Sequence, residues 1–152
     1  MKTAIELDGE AEELESRALE LRRQAAAARG RERQEAMRRA EGIPVDRSAR
    51  TLADGAPITD DHRELKPNGQ QKDYVVLSAD ERAKGFVRPV RRSYVHQNCG
   101  ALTTMSLAIA ETYARDPSFY SGTFCCACRT HFPVGEDGEF TWADAPSEKV
   151  GT

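Results

Sequence analysis

Apolar positions along this chain fall into two regimes. In the first forty residues, Leu7, Ala11, Leu14, Ala18, Leu21, Ala25 and Ala28 recur at alternating spacings of four and three. That is an a/d seam about three heptads long, and it predicts a helix over residues 8 to about 41. Glu13 with Arg17, and Glu35 with Arg39, are i,i+4 pairs that support it. Gly30 sits where the seam fades, and the stretch after it, Arg31 to Ala40, offers only Ala36, Met37 and Ala40 as apolar residues. An alanine-rich seam buries little area, so such a helix either stays solvated or gains its stability from a partner. Residues 7–28 are therefore the candidate surface for a protein partner or for self-association through a short coiled coil.

The second regime begins near residue 73. Asp73-Tyr-Val-Val-Leu77 reads as a strand, and Ser78 with Glu81 reads as a capping box opening a short helix, Ala79 to Lys84, that Gly85 stops. Phe86–Val90 and Ser93–His96 read as short strands, with Pro89 marking an edge. Thr103 or Thr104 is positioned to cap a helix in which Met105, Ile109 and Tyr113 share a face, Glu111 and Arg115 pair outside, and Pro117 marks the end. Thr123–Phe124, a cysteine-rich turn, Phe132–Val134 and Glu139–Trp142 follow. The last two are expected to form a hairpin across Gly135-Glu-Asp-Gly138. Between the regimes, Gly42–Lys72 holds three prolines, many charges and few large apolar residues, the profile of an extended linker.

Composition sharpens this division. All five Phe, the single Trp and three of the four Tyr lie between residues 86 and 142, and the remaining Tyr is Tyr74. A compact core is thus expected only over residues 73–143, between a helical arm (1–42) with its linker (43–72) and a flexible tail (144–152). A core of that size is marginal alone, and a bound metal is a common remedy. The net charge of −3 argues against general nucleic-acid affinity. Residues 81–100 nevertheless hold Arg82, Lys84, Arg88, Arg91 and Arg92 against Glu81 alone. Arg88, Arg91 and Arg92, with Tyr94 for stacking, are the candidate nucleic-acid contacts. The competing reading makes them a solvated edge whose arginines pair with the acids of residues 136–144. No basic start with an apolar run suggests a signal peptide, and no stretch approaches a membrane span. A reducing cytoplasm is the expected setting, where clustered cysteines mean metal or redox chemistry.

All four cysteines lie in two segments, His96-Gln-Asn-Cys99-Gly and Cys125-Cys-Ala-Cys128. Two pairs, each separated by two residues, can close the four-coordinate shell of one zinc ion, which neutral imidazole and thiolates suit. The expected ligands are His96, Cys99, Cys125 and Cys128, holding a structural Zn2+. Cys126, adjacent to Cys125, and His131, two residues beyond Cys128, are the alternatives. Cys126 otherwise reads as a small buried hydrophobe, and His131 as a hydrogen-bonded or supporting residue. Three thiolates and an imidazole leave no open position for a catalytic water, so no catalytic residue is assigned. A thiol redox reading of the CxxC lacks the βαβ surroundings of such motifs. The deaminase pattern of H-x-E with P-C-x-x-C fails, because Phe124 replaces the proline and His62-Arg-Glu64 lies in the linker.

The run Arg88-Pro-Val-Arg-Arg-Ser-Tyr-Val-His96, with Cys99-Gly, Ala110-Glu-Thr-Tyr-Ala-Arg-Asp-Pro-Ser-Phe-Tyr120, Thr123-Phe-Cys125 and Cys128–Pro133, resembles a group of uncharacterised small proteins of tailed phages and prophages. The resemblance covers the C-terminal half. It implies a zinc-ribbon-like pairing of His96/Cys99 with Cys125/Cys128 and a viral genome context, without implying an activity. The expectation is therefore an α+β protein: a small zinc-ribbon-like domain of short antiparallel hairpins and one helix, behind a helical arm. Its expected role is a non-enzymatic binding module acting through protein contacts, as a minor virion, assembly or host-interaction protein. Its expected place is the cytoplasm of a bacterial host, or the virion. A nucleic-acid-binding regulator is the alternative, and a thiol redox protein the third.

Overall fold

A computed structural model describes residues 1–152 as an α+β chain of two compact units, Met1–Ala36 and Met37–Thr152. The first unit is helical from Ala4 onward. Helix α1 spans Ala4–Glu41 without a break. Thr3 opens it reciprocally: its hydroxyl accepts from the Glu6 amide at 3.3 Å, and the Glu6 carboxylate accepts from the Thr3 amide at 2.7 Å. Gly30 does not interrupt the helix. One glycine costs about 1 kcal/mol against alanine, which strong helix formers on both sides offset. Leu7, Leu14 and Leu21 are 53%, 67% and 56% exposed.

The second unit begins with the last turn of α1 and contains all the strands. Strands β1 (Arg50–Leu52) and β2 (Val75–Leu77) pair antiparallel. Helix α2 (Ala79–Arg82) follows. Strands β3 (Ser93–His96) and β4 (Leu102–Thr104), helix α3 (Leu107–Arg115), and strands β5 (Gly122–Cys125), β6 (Thr130–Pro133), β7 (Phe140–Trp142) and β8 (Ala145–Lys149) complete it. One sheet runs β4-β3-β7-β8, and β5-β6 form a separate hairpin. The core gathers Tyr94, Met105, Ala110, Tyr113, Cys125, Phe140, Trp142 and Val150. Tyr113 faces inward from α3 with Ile109 partly buried beside it, whereas Met105 is buried from the chain before the helix cap and not from the helix face expected for it.

Several expectations change. Residues 43–72 are not a bare linker: β1 pairs with β2, and the Lys72 and Asp73 amides donate to the Glu64 and His62 carbonyls. Their fold rests on backbone pairing and small turns, which leave little hydrophobic signature. Residues 144–152 are not a free tail. They carry β8, and the fully buried Val150 donates its amide to the Phe140 carbonyl. The expected hairpin of Phe132–Val134 with Glu139–Trp142 does not form. Segment β6 pairs with β5, whereas β7 pairs with β3 and β8. The reason is local: the tight turn at Cys125–Cys128 folds β6 back on β5 and leaves β7 to the larger sheet. Phe86–Val90 is not a strand. Leu102–Thr104 pairs with β3, so the cap of α3 passes to Ser106, whose hydroxyl accepts from the Ile109 amide at 3.4 Å.

Charged pairs also differ from their sequence reading. Ser78 caps α2 as expected, but Glu81 does not reach back to it. The buried Glu81 carboxylate instead accepts from the Asp46 amide at 3.0 Å and faces Lys84 and Arg115. These contacts, Lys84 first, hold its pKa below the usual carboxylate range. Glu111 pairs with Arg82 at 3.2 Å, because Arg115 is fully buried. The Arg115 guanidinium donates to the carbonyls of Ile43 at 3.1 Å and Pro44 at 3.0 Å, anchoring the chain where it leaves α1.

Candidate metal centre

Each half of the cluster grows from the end of a strand. Strand β3 ends at His96 and the chain turns through Gln97, Asn98 and Cys99 to reach β4; β5 ends at Cys125 and turns through Cys126, Ala127 and Cys128 to reach β6. The turns share a backbone device. The Gly100 amide donates to the His96 carbonyl at 2.7 Å, and the Arg129 amide to the Cys125 carbonyl at 2.8 Å. Both closing residues sit in the left-handed region, Gly100 at φ 75° and Arg129 at φ 58°. Amides also point at sulfur: Ala101 donates to Cys99 Sγ at 3.4 Å, and Cys128 to Cys125 Sγ at 3.5 Å. The donor aimed at Cys99 favours its thiolate form.

The two turns meet. The ligand atoms of His96, Cys99, Cys125 and Cys128 all lie within 4.8 Å of one another, so one ion can reach all four. His96 Nδ1 is 3.3 Å from Cys99 Sγ and 3.5 Å from Cys128 Sγ, and the sulfurs of Cys99 and Cys125 are 3.5 Å apart. Crowding has electrostatic consequences. Partial desolvation, with the neighbouring thiols adding to it, pushes the Cys128 thiol up to about 12. The Ala101 amide is the main influence lowering Cys99. A cation among the sulfurs offsets the desolvation, and with it the smaller repulsion, that keep Cys128 protonated.

His96 is the most constrained member, 1% exposed. Its ring stacks between Phe132 (centroids 4.4 Å) and Phe140 (4.8 Å), the latter its cross-strand neighbour in β7. With Nδ1 facing the sulfurs, Nε2–H donates to Glu139 Oε1 at 3.2 Å. Asn98 donates to the same carboxylate oxygen. A carboxylate on the far nitrogen fixes the tautomer and raises the basicity of the ligating nitrogen. Glu139 is the residue missed from the sequence. Its only signal there was an acid in a strand, since its position opposite the histidine depends on the pairing of β3 with β7.

The two alternative ligands stand outside the cluster. The Cys126 amide donates to Thr103 Oγ1 at 3.1 Å, and its thiol donates to the Leu102 carbonyl at 3.3 Å. Cys126 is exposed rather than a buried hydrophobe, and these bonds tie the second turn to β4. His131 Nε2 is 2.8 Å from the Tyr74 hydroxyl, a supporting position on β6.

All four candidate nucleic-acid residues make hydrogen bonds within the fold, and Arg91 and Tyr94 are also buried. The Arg91 guanidinium lies 4.7 Å from the Trp142 ring centre and pairs with Glu148 at 2.5 Å, beyond the acids expected as its partners. Tyr94 is buried and donates to the Phe124 carbonyl at 2.5 Å. Arg88 and Arg92 donate to the carbonyls of Val87 and Met105, each at 3.0 Å. The Cys125–Cys128 turn lies in a hairpin, with no helix N-terminus to activate a thiol. No helix is long and apolar enough to cross a membrane. Comparisons with protein families, curated proteins and solved structures give no match to this chain.

Proposed function

We propose that this chain is a non-enzymatic binding module whose second unit is stapled by one structural zinc ion. The observation that carries the reading is the convergence of one imidazole nitrogen and three sulfurs from two strand-end turns. A tetrahedral zinc with bonds of about 2.05 Å to nitrogen and about 2.3 Å to sulfur has N–S edges of about 3.6 Å and S–S edges of about 3.8 Å. Three of the six donor separations, at 3.3–3.5 Å, are close to those edges, and all six lie within 4.8 Å. Soft thiolates with a neutral imidazole select zinc over hard cations. Four protein ligands fill the shell, so the ion's contribution is folding free energy, on the order of 10 kcal/mol. Two hairpins that each present one turn to the ion support a zinc-ribbon-like description.

Function then lies in surfaces rather than in a reaction centre. The exposed leucines of α1 provide a stripe for a protein partner or a second copy, consistent with a minor virion, assembly or host-interaction role in a phage or prophage. The nucleic-acid alternative built on residues 82–92 is weakened by the internal engagement of Arg91 and Tyr94. Protein purified without added metal is expected to carry one zinc per chain and to lose its cooperative thermal transition in excess chelator. A metal-free protein with an unchanged transition would remove the staple. Sedimentation of full-length protein tests the arm. A monomer that captures no partner from a phage-infected host would remove the protein-contact role.

A further inference from the structure

The second unit contains a cavity of about 720 Å3 between the 47–75 region and the β5–β6 hairpin. That volume is within the range of about 300–1,000 Å3 typical of ligand pockets. Its lining includes three arginines and two histidines but no aspartate or glutamate. These groups are not equivalent. Arg47 is committed, holding Asp116 through bonds of 2.6 and 3.0 Å. His62 Nδ1 is bonded to the Thr59 carbonyl, and His131 to Tyr74. Arg50 and Arg63 are exposed at the cavity, and neither guanidinium has an acidic partner. Two guanidiniums without an acidic partner on one concavity are donors available to an anion, and their planar forks match phosphate oxygens.

The remaining wall is aromatic. Phe119 and Tyr120 meet edge to face with centroids 4.8 Å apart, and the Tyr120 hydroxyl is tied to the Val75 carbonyl at 2.7 Å. Tyr74 completes this side. Preformed ring faces beside free arginines suit a phosphate joined to a planar ring. We propose that this cavity binds a nucleotide unit, with the phosphate on Arg50 and Arg63 and the base against Phe119 and Tyr120. The unit's source is either a free mononucleotide or one residue of a single strand.

Titration calorimetry of the zinc-loaded full chain at 50 mM salt tests this, using mononucleotides, the matching nucleosides, inorganic phosphate and an eight-nucleotide single strand. Mononucleotides are expected to bind at least tenfold more tightly than phosphate or nucleoside. Arg50→Ala with Arg63→Ala is expected to weaken them at least tenfold with zinc content and melting temperature unchanged, and Phe119→Ala severalfold with zinc content unchanged. Tighter binding of the strand with the same sensitivities assigns the nucleotide to a polynucleotide, and equal or weaker binding assigns it to the free form. No binding at 5 mM, phosphate binding as tightly as the nucleotide, or an unaffected double variant would each overturn the proposal. Zinc content is read on the same samples, so failure of the pocket is distinct from failure of the staple.

Discussion

The turns His96-Gln-Asn-Cys99-Gly100 and Cys125-Cys-Ala-Cys128-Arg129 follow one backbone course and are stabilised differently. Each is closed by an amide-to-carbonyl bond of 2.7 or 2.8 Å and a residue with positive φ. In the first turn that residue is Gly100, with nothing within 4 Å of where its side chain would start. In the second it is Arg129, a residue type that takes this conformation at a cost of about 1–2 kcal/mol. The cost is offset from outside: Arg129 Nη2 donates to the Pro67 carbonyl at 2.7 Å, and the Arg129 carbonyl packs directly on Gly69. Support for the ligands differs in the same way. His96 is gripped by two phenylalanines and Glu139, whereas exposed Cys128 depends on its neighbours in the cluster. A left-handed closing residue is either glycine or is held by distant chain. The region that resembled a linker is here that distant chain.

The largest effect should come from breaking both turns at once. Cys125→Ser removes a fully buried ligand, and is expected to eliminate bound zinc and the cooperative melt of residues 37–152, measured by elemental analysis and calorimetry. Retained zinc would show that the turns do not share an ion. Next, Gly69→Ala addresses the second turn alone. Gly69 sits at φ +90°, and an added Cβ overlaps the Arg129 carbonyl. A loss of about 2–3 kcal/mol in denaturant stability is expected; an unchanged midpoint would mean that the 66–69 loop does not support the turn.

Glu139→Gln addresses the first turn alone and should weaken zinc binding about 10–100-fold in a chelator competition, with little change in the fold. The closing residues give a smaller contrast. Gly100→Ala should cost about 1 kcal/mol, whereas Arg129→Gly should be nearly neutral, because relief of strain offsets the lost bond to Pro67. Equal costs at the two positions would contradict the asymmetry. The smallest effect concerns His131, whose pKa partial burial lowers from 6.5. A depressed histidine favours the neutral ring when folded, so its stability contribution is complete above pH 6.5 and is lost as pH falls toward the folded value. His131→Gln should flatten that part of the stability profile, and an unaltered slope between pH 7 and 5 would exclude it.

By itself, the sequence determined the local and periodic features. Alternating three- and four-residue spacings specified α1, because a helix face repeats with that period. Ser78 specified the start of α2, and the spacing of Ile109 and Tyr113 the inner side of α3. The paired ligand spacings pointed to His96, Cys99, Cys125 and Cys128, because both donors of a turn must reach one point from a few residues of chain. Only the tertiary structure decided matters that depend on partners distant in sequence. Pairing of β3 with β7 put Glu139 on the histidine, and pairing of β5 with β6 took β6 from the hairpin expected with β7. Burial of Arg115 and Arg91 turned two surface charges into internal anchors. Carbonyls of residues 43, 44 and 67, with Gly69, hold the rest of the unit through backbone atoms, which carry no side-chain signature to read in advance.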